Sequence, residues 1–214
     1  MTVYIYLHGF ASSPRSSKAN YLRDRFAEAN LKLEVLDLNR GDFSKLTLSR
    51  QIEQTIDAFP EAQIPVTLIG SSFGGLTSAW VAEQKLQVQN MILLAPAFGF
   101  PHSWYARLQP KQIEQWQESG YLSVYHYGEN KEIPLHYKFL QDADNYPGSD
   151  LKRSLPTLII HGINDDVVPI EVSRNYVANH SQAQLLELDS DHGLNDMRER
   201  IWQETKEFLK LPQP

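Results

Sequence analysis

Three residue types that together can make a covalent catalyst occur in this chain, each in a loop that follows an apolar run. The first is Ser72, within Gly70-Ser71-Ser72-Phe73-Gly74. The apolar, β-branched run from Ile64 to Ile69 precedes it and a small-residue helical pattern follows, so the stretch reads as strand, sharp turn and helix. Gly-x-Ser-x-Gly in that setting is a nucleophile elbow: the Ser occupies the tip of a strained turn, and glycines two residues to either side remove side chains that would clash there. Ser71 has no glycines at those offsets, so Ser72 is the candidate. Taken alone, the five residues could also be a Gly-rich connection without chemistry.

A hydroxyl is a poor nucleophile at neutral pH and needs a base to take its proton during attack and return one to the leaving group. Of the seven histidines, His192 alone follows a late strand in a Gly-containing loop, Asp191-His192-Gly193. His8 and His161 each stand in a His-Gly strand end, where hydrogen bonding to the loop is the expected role. His102, His126, His136 and His180 are read as surface or structural, and Asp191 as a turn cap. A carboxylate must orient the imidazole and stabilise the imidazolium. The loop His161-Gly162-Ile163-Asn164-Asp165-Asp166-Val167-Val168-Pro169 offers two, and adjacent residues cannot both point at one ring. An oxyanion site needs two backbone N–H groups. Phe73 offers one at the start of its helix, with the helix dipole behind it, and Phe10 in His8-Gly9-Phe10 offers the other.

The surrounding pattern supplies the elements that would position these groups. Val3 to Leu7 is a buried-strand run, Ser16 or Ser17 can cap a helix whose apolar face is Ala19, Leu22, Phe26 and Ala29, and Leu31 to Leu38 returns as a strand. Leu48, Ile52, Ile56 and Phe59 mark another helix, and Asn90 to Ala95 another strand. After an irregular stretch come a strand at Thr157–Ile160, a helix at Ile170–Asn179, a strand at Gln184–Leu188 and a last helix aligned by Leu194, Met197, Ile201 and Phe208. Alternation of this kind implies a mostly parallel sheet with helices on both faces. It fails from about residue 97 to 153, where prolines interrupt the pattern and Trp104, Tyr105, Trp116, Tyr121, Tyr125, Tyr127, Tyr137 and Phe139 crowd together. This reads as a lid-like insertion in a single domain spanning 1–214. Its aromatics either form a small core of their own or in part face a substrate pocket.

Composition narrows the classes. The 214 residues include 20 basic and 26 acidic ones, a net charge of −6 spread without blocks, which argues against nucleic acid or an anionic membrane as partner. The absence of cysteine rules out disulfides, a thiol nucleophile and thiolate metal sites, and the His and Asp residues lack clustered ligand spacing, so no metal is expected. No leader or membrane span is apparent, and the cytoplasm is the expected compartment. Nothing in the pattern speaks to oligomeric state.

The chain order Ser, Asp, His is that of the α/β-hydrolases. The loop at His161 resembles that superfamily's His-Gly-x-x-Asp-x-x-Val-Pro pattern, which implies Asp165 as the triad acid and leaves Asp166 facing solvent or a helix N-terminus. The opening Tyr6-Leu7-His8-Gly9-Phe10-Ala11-Ser12-Ser13-Pro14-Arg15-Ser16-Ser17-Lys18-Ala19 resembles the signature of the YqiA/YcfP-type esterases, which also carry a Gly-Ser-Ser-x-Gly-Gly elbow, here Gly70 to Gly75. The resemblance implies an α/β-hydrolase fold without the first two strands of larger members, and carboxylesterase activity on short-chain or small apolar acyl esters with no cofactor. The insertion matches no pattern of that family, which leaves substrate choice open. Thioesterases, lipases and carbon–carbon hydrolases share the triad, and a hydrolase fold kept as a binding module without turnover is the alternative from another class.

Overall fold

The computed structural model describes residues 2–211. Six strands form one sheet in the order β2-β1-β3-β4-β7-β8, with every neighbouring pair parallel. They are β1 (Val3–Leu7), β2 (Leu33–Leu36), β3 (Val66–Ser71), β4 (Val88–Leu94), β7 (Thr157–Gly162) and β8 (Ala183–Leu188). The second strand is shorter than the apolar run from Leu31 to Leu38 suggested. Helices α1 (Ser17–Glu28), α2 (Leu48–Asp57), α3 (Phe73–Gln84), α7 (Glu171–Asn179) and α8 (Arg198–Leu209) connect or follow these strands. None of the described helices is long and apolar enough to cross a membrane.

The two-residue period of the strands divides the core into two layers. Ile5, Leu7, Leu68, Met91, Leu93 and Ile159 join the apolar cluster under α2, α3 and α7, while Tyr6, Ile69, Ile92, Leu94, Leu158 and Ile160 join the cluster under α1 and α8. Helix starts are set by hydroxyls: Ser16 Oγ accepts the Ala19 N–H at 3.4 Å and Thr47 Oγ1 the Arg50 N–H at 3.1 Å. The last helix begins later than its apolar spacing implied. Leu194 has a left-handed backbone (φ 50°) and Asn195–Met197 is a 3-10 turn, so only from Arg198 on is the chain α-helical.

Between β4 and β7 the chain leaves the sheet and forms α4 (His102–Arg107), α5 (Pro110–Ser119), an antiparallel hairpin of β5 (Tyr121–His126) and β6 (Lys131–His136), and α6 (Lys138–Ala143). Pro134 lies within β6, opposite Ser123. In a two-stranded hairpin each strand has a free edge, so a proline there need not remove a ladder bond. Trp116, Leu135, Phe139, Leu140 and Ala143 are buried in the same cluster as α2 and α3, so the insertion extends the main core and does not build a separate one. Two ties fasten it. Ser49 at the start of α2 gives its N–H and hydroxyl to Asp142 at 2.8 and 2.5 Å. His126 Nε2 lies 3.3 Å from Asn39 Nδ2, which in turn donates to the Ser12 carbonyl at 2.7 Å.

Close packing of α3 on β1 and β3 explains two of the elbow's glycines. A Cβ on Gly70 would run into the Gly74 carbonyl, and one on Gly74 into the carbonyl oxygens of Leu7 and His8. These are backbone atoms of α3 and of the end of β1, and cannot move aside as a flexible side chain could. Gly74→Ala is therefore expected to cost about 3 kcal/mol and to lower Tm by roughly 10 °C in thermal unfolding. Gly148→Ala, where the nearest atom to the added Cβ is 3.7 Å away, should leave Tm within about 2 °C of the parent.

Candidate active site

Ser72 sits at φ 53°, ψ −115°, a region costly for a residue with a Cβ. The strain, on the order of 1–3 kcal/mol, is held by backbone hydrogen bonds on both sides. Its N–H donates to the Leu94 carbonyl at 2.8 Å, and its carbonyl accepts from Gly75, Leu76 and Ala97 at 2.9, 3.2 and 3.1 Å. Strand β4 and the first turn of α3 thus fix a conformation that lifts Oγ clear of the sheet.

The loops after β7 and β8 converge on that hydroxyl. His192 Nε2 is 3.1 Å from Ser72 Oγ, and its Nδ1 is 2.7 Å from Asp165 Oδ2. Asp165 Oδ1 accepts the Val167 and Val168 N–H groups at 2.8 and 2.7 Å, so each oxygen of this fully buried carboxylate is used. Burial would raise its pKa, but the hydrogen bonds from His161, His192 and the Val168 N–H hold it well below the usual carboxylate range. Asp166 is exposed, and its carbonyl accepts from Arg107. Asp191 Oδ1 accepts the Gly193 and Leu194 N–H groups at 2.8 and 3.2 Å, which makes it the cap of the turn that carries His192.

His161 contributes more than its strand-end position implied. Its Nε2 faces Asp165 Oδ2 at 3.1 Å and the Val168 carbonyl at 3.0 Å, while Nδ1 meets Ser173 Oγ at 2.7 Å. Facing two acceptors, Nε2 must carry a proton, and the Ser173 hydroxyl then serves Nδ1. The ring is buried and donates to the same oxygen that receives His192. The signal available in the sequence was the i, i+4 spacing of His161 and Asp165, which joins them only once the loop curls back over the strand end.

The loop after β1 closes over Ser72: a Cβ on Gly9 would stand 3.3 Å from Ser72 Cβ. His8 is buried, its Nε2 accepts the Leu38 N–H at 3.2 Å, and its Nδ1 lies 2.9 Å from the Gly9 carbonyl. With Nε2 accepting, Nδ1 is the donor and the ring is neutral, consistent with burial drawing its pKa down. A trans peptide whose carbonyl points at His8 turns the Phe10 N–H to the opposite side. Among the described residues neither the Phe10 nor the Phe73 N–H has a protein acceptor. Both amides border Ser72 and both side chains line the same cavity.

That cavity, of about 620 Å³, is bounded by Phe10, Phe73, Phe100, Trp104, Phe139 and His192, with Leu122, Val124, Tyr125 and Tyr127 from the hairpin. The insertion's aromatics therefore divide: Trp104, Phe139, Tyr125 and Tyr127 face the cavity, whereas Trp116 is buried with Tyr137 against its edge and Tyr121 is exposed. A separate cavity of about 580 Å³ between Phe98, Leu151 and Tyr176 contains none of the three polar groups.

Over residues 3–210 the sequence matches the family described as "Uncharacterised protein family (UPF0227)". The chain belongs to this family, the YqiA/YcfP family. The N-terminal signature and the elbow are thus features of a UPF0227 protein. Solved structures similar to it include Est1E from Butyrivibrio proteoclasticus with ferulic acid bound (TM-score 0.82, 20% identity, covering 98% of this chain and 88% of that one). Mouse alpha/beta hydrolase domain-containing protein 10 gives a TM-score of 0.80 at 18% identity, over 99% of this chain and 90% of the other. A monoacylglycerol lipase from Paleococcus ferrophilus gives 0.78 at 16%, over 97% and 93%. The UPF0227 chain has the α/β-hydrolase fold.

Proposed function

We propose that this protein is a serine carboxylesterase acting on esters with short or small apolar acyl groups. The observation that carries the reading is the continuous chain Ser72 Oγ, His192 and Asp165 at 3.1 and 2.7 Å, beside two backbone N–H groups that have no protein acceptor among the described residues. Ser72 Oγ attacks the ester carbonyl while His192 Nε2 takes its proton, and the Phe10 and Phe73 N–H groups receive the negative charge that develops on the carbonyl oxygen. Collapse breaks the bond to the alcohol oxygen, which leaves with the proton from His192. Water then attacks the acyl-Ser72, gives its proton to His192, and the acid departs as Ser72 recovers that proton. Asp165 keeps Nδ1 protonated and compensates the imidazolium in both halves. His161 and the Val167 and Val168 amides hold Asp165 in place.

The insertion acts in this reading as a lid whose Trp104, Phe139 and hairpin residues wall the acyl site. The hydrolytic activities named for Paleococcus ferrophilus monoacylglycerol lipase, and the ferulic acid held by Est1E, are in keeping with it. A p-nitrophenyl ester series from acetate to laurate tests it: kcat/KM should peak at a short or medium chain. Trp104→Ala should enlarge the site and move that peak toward longer chains. No hydrolysis of any member by the pure protein would contradict the reading.

A further inference from the structure

The space around Ser72 has a second half. Beside the aromatic cavity, and also bordered by Phe10, Ser72 and His192, lies a cleft of about 570 Å³ with two cationic residues in its wall. Its charged lining residues are Arg15 and Lys18, and no carboxylate lines it, in a chain whose net charge is −6. Ser13, Ser16, Ser17 and Tyr127, which carry hydroxyls, are among its other lining residues.

Lys18 is half-buried and donates to the Gly193 carbonyl at 2.7 Å, placing its ammonium one residue from His192 and leaving two N–H donors unused by that bond. Burial draws its pKa down to about 8, against the Asp191 and Asp165 carboxylates, so it is still a cation at neutral pH. Those acids have other work: Asp191 caps its turn and Asp165 binds both histidines. Arg15 is exposed, and its only hydrogen bonds among the described residues are made by its backbone, to Ser13 Oγ and from Asn20. A planar fork of donors at the rim and a partly desolvated ammonium deeper in suit a carboxylate or a similarly small oxyanion. The cleft is walled by His192, Gly193 and Asn195. His192 borders both spaces, but Gly193 and Asn195, which follow it on the loop that carries the base, wall only the cleft. With the apolar acyl group placed among the aromatics, the cleft is the space left for the alcohol half whose oxygen His192 protonates.

We propose that this cleft binds a small anionic group, in the first instance a carboxylate, on the alcohol half of the ester. The preferred substrate is then amphipathic, with an apolar acyl group among the aromatics and an anionic alcohol beside Lys18 and Arg15. The inference rests on the esterase reading but can fail separately from it.

The test compares kcat/KM for 4-carboxyphenyl butyrate with that for its neutral methyl ester, 4-(methoxycarbonyl)phenyl butyrate. The ratio should favour the charged ester in the parent protein and fall about tenfold in Arg15→Gln. Taking the change in ratio cancels the difference in leaving-group reactivity. Arg15→Glu should lower it further. The same carboxylate on the acyl half, p-nitrophenyl hemisuccinate against its methyl ester, should show no preference, and a preference there instead would overturn the assignment to the alcohol side. A ratio that Arg15→Gln and Arg15→Glu leave unchanged, with neutral butyrates still hydrolysed, would overturn the cleft while sparing the esterase reading. If no butyrate is hydrolysed, both fall.

Discussion

Replacing Ser72 with Ala is expected to lower kcat/KM for p-nitrophenyl butyrate by about ten-thousand-fold or more, with the fold intact. Ala keeps a Cβ and so keeps the positive-φ strain, while the three hydrogen bonds to the Ser72 carbonyl and the one from its N–H are made by backbone and survive. Its Tm should stay within a few degrees of the parent. Ser72→Gly should be equally inactive yet more stable, by about 1–3 kcal/mol, because glycine adopts that conformation without strain. Thermal unfolding of the pair separates strain from chemistry, and hydrolysis surviving in either variant above about 1% of the parent would mean another nucleophile.

The second large effect is at the adjacent acids. Asp165→Asn should reduce kcat by about a hundred- to ten-thousand-fold, and Asp166→Asn by less than about twofold. Four donors surround the Asp165 carboxylate, the His161 and His192 rings on one oxygen and the Val167 and Val168 amides on the other. An Asn amide must turn its own NH2 toward one of these pairs, so one pair loses its acceptor, His192 loses its orientation where that pair is the histidines, and in either orientation the charge that compensates the imidazolium is gone. Leaving buried donors unsatisfied costs about 1–3 kcal/mol each, so Asp165→Asn should also unfold at lower temperature. There is a pH counterpart. Because the folded-state pKa of Asp165 is depressed, its contribution to stability is complete above the unfolded carboxylate range and is lost as pH falls below it. Asp165→Asn should therefore flatten the acid limb of the stability curve, whereas Asp166→Asn should not.

Most of the constellation was legible because its constraints are local. The elbow needs glycine two residues before and after Ser72, since a Cβ at Gly70 or Gly74 meets backbone, and that requirement is written in five consecutive residues. The alternation of Leu68 with Ile69, or Ile159 with Ile160, records a sheet covered on both faces. The turn-capping role of Asp191 and the capping choice of Ser16 or Ser17 followed from the same short-range chemistry. What escaped the sequence depends on long-range closure. His161 reaches Asp165 only because the loop after β7 folds back. The hairpin was hidden by Pro134, tolerable only at an edge. The insertion's aromatics read as a crowd, and their division between core and cavity is set by α2 and α3, far away in sequence. The cationic cleft needs Arg15 and Lys18 brought beside Gly193 and Asn195, which the opening signature could not show.

The most direct test is to treat the protein with a fluorophosphonate, digest it with trypsin and locate the adduct by fragment-ion mass spectrometry. The label should be found once per chain, in the peptide Gln51–Lys85 and on Ser72 as distinct from Ser71, and should be absent from Ser72→Ala. Labelling of a different residue, or ester hydrolysis by a protein whose Ser72 stays unmodified, would contradict the assignment of Ser72 as the nucleophile.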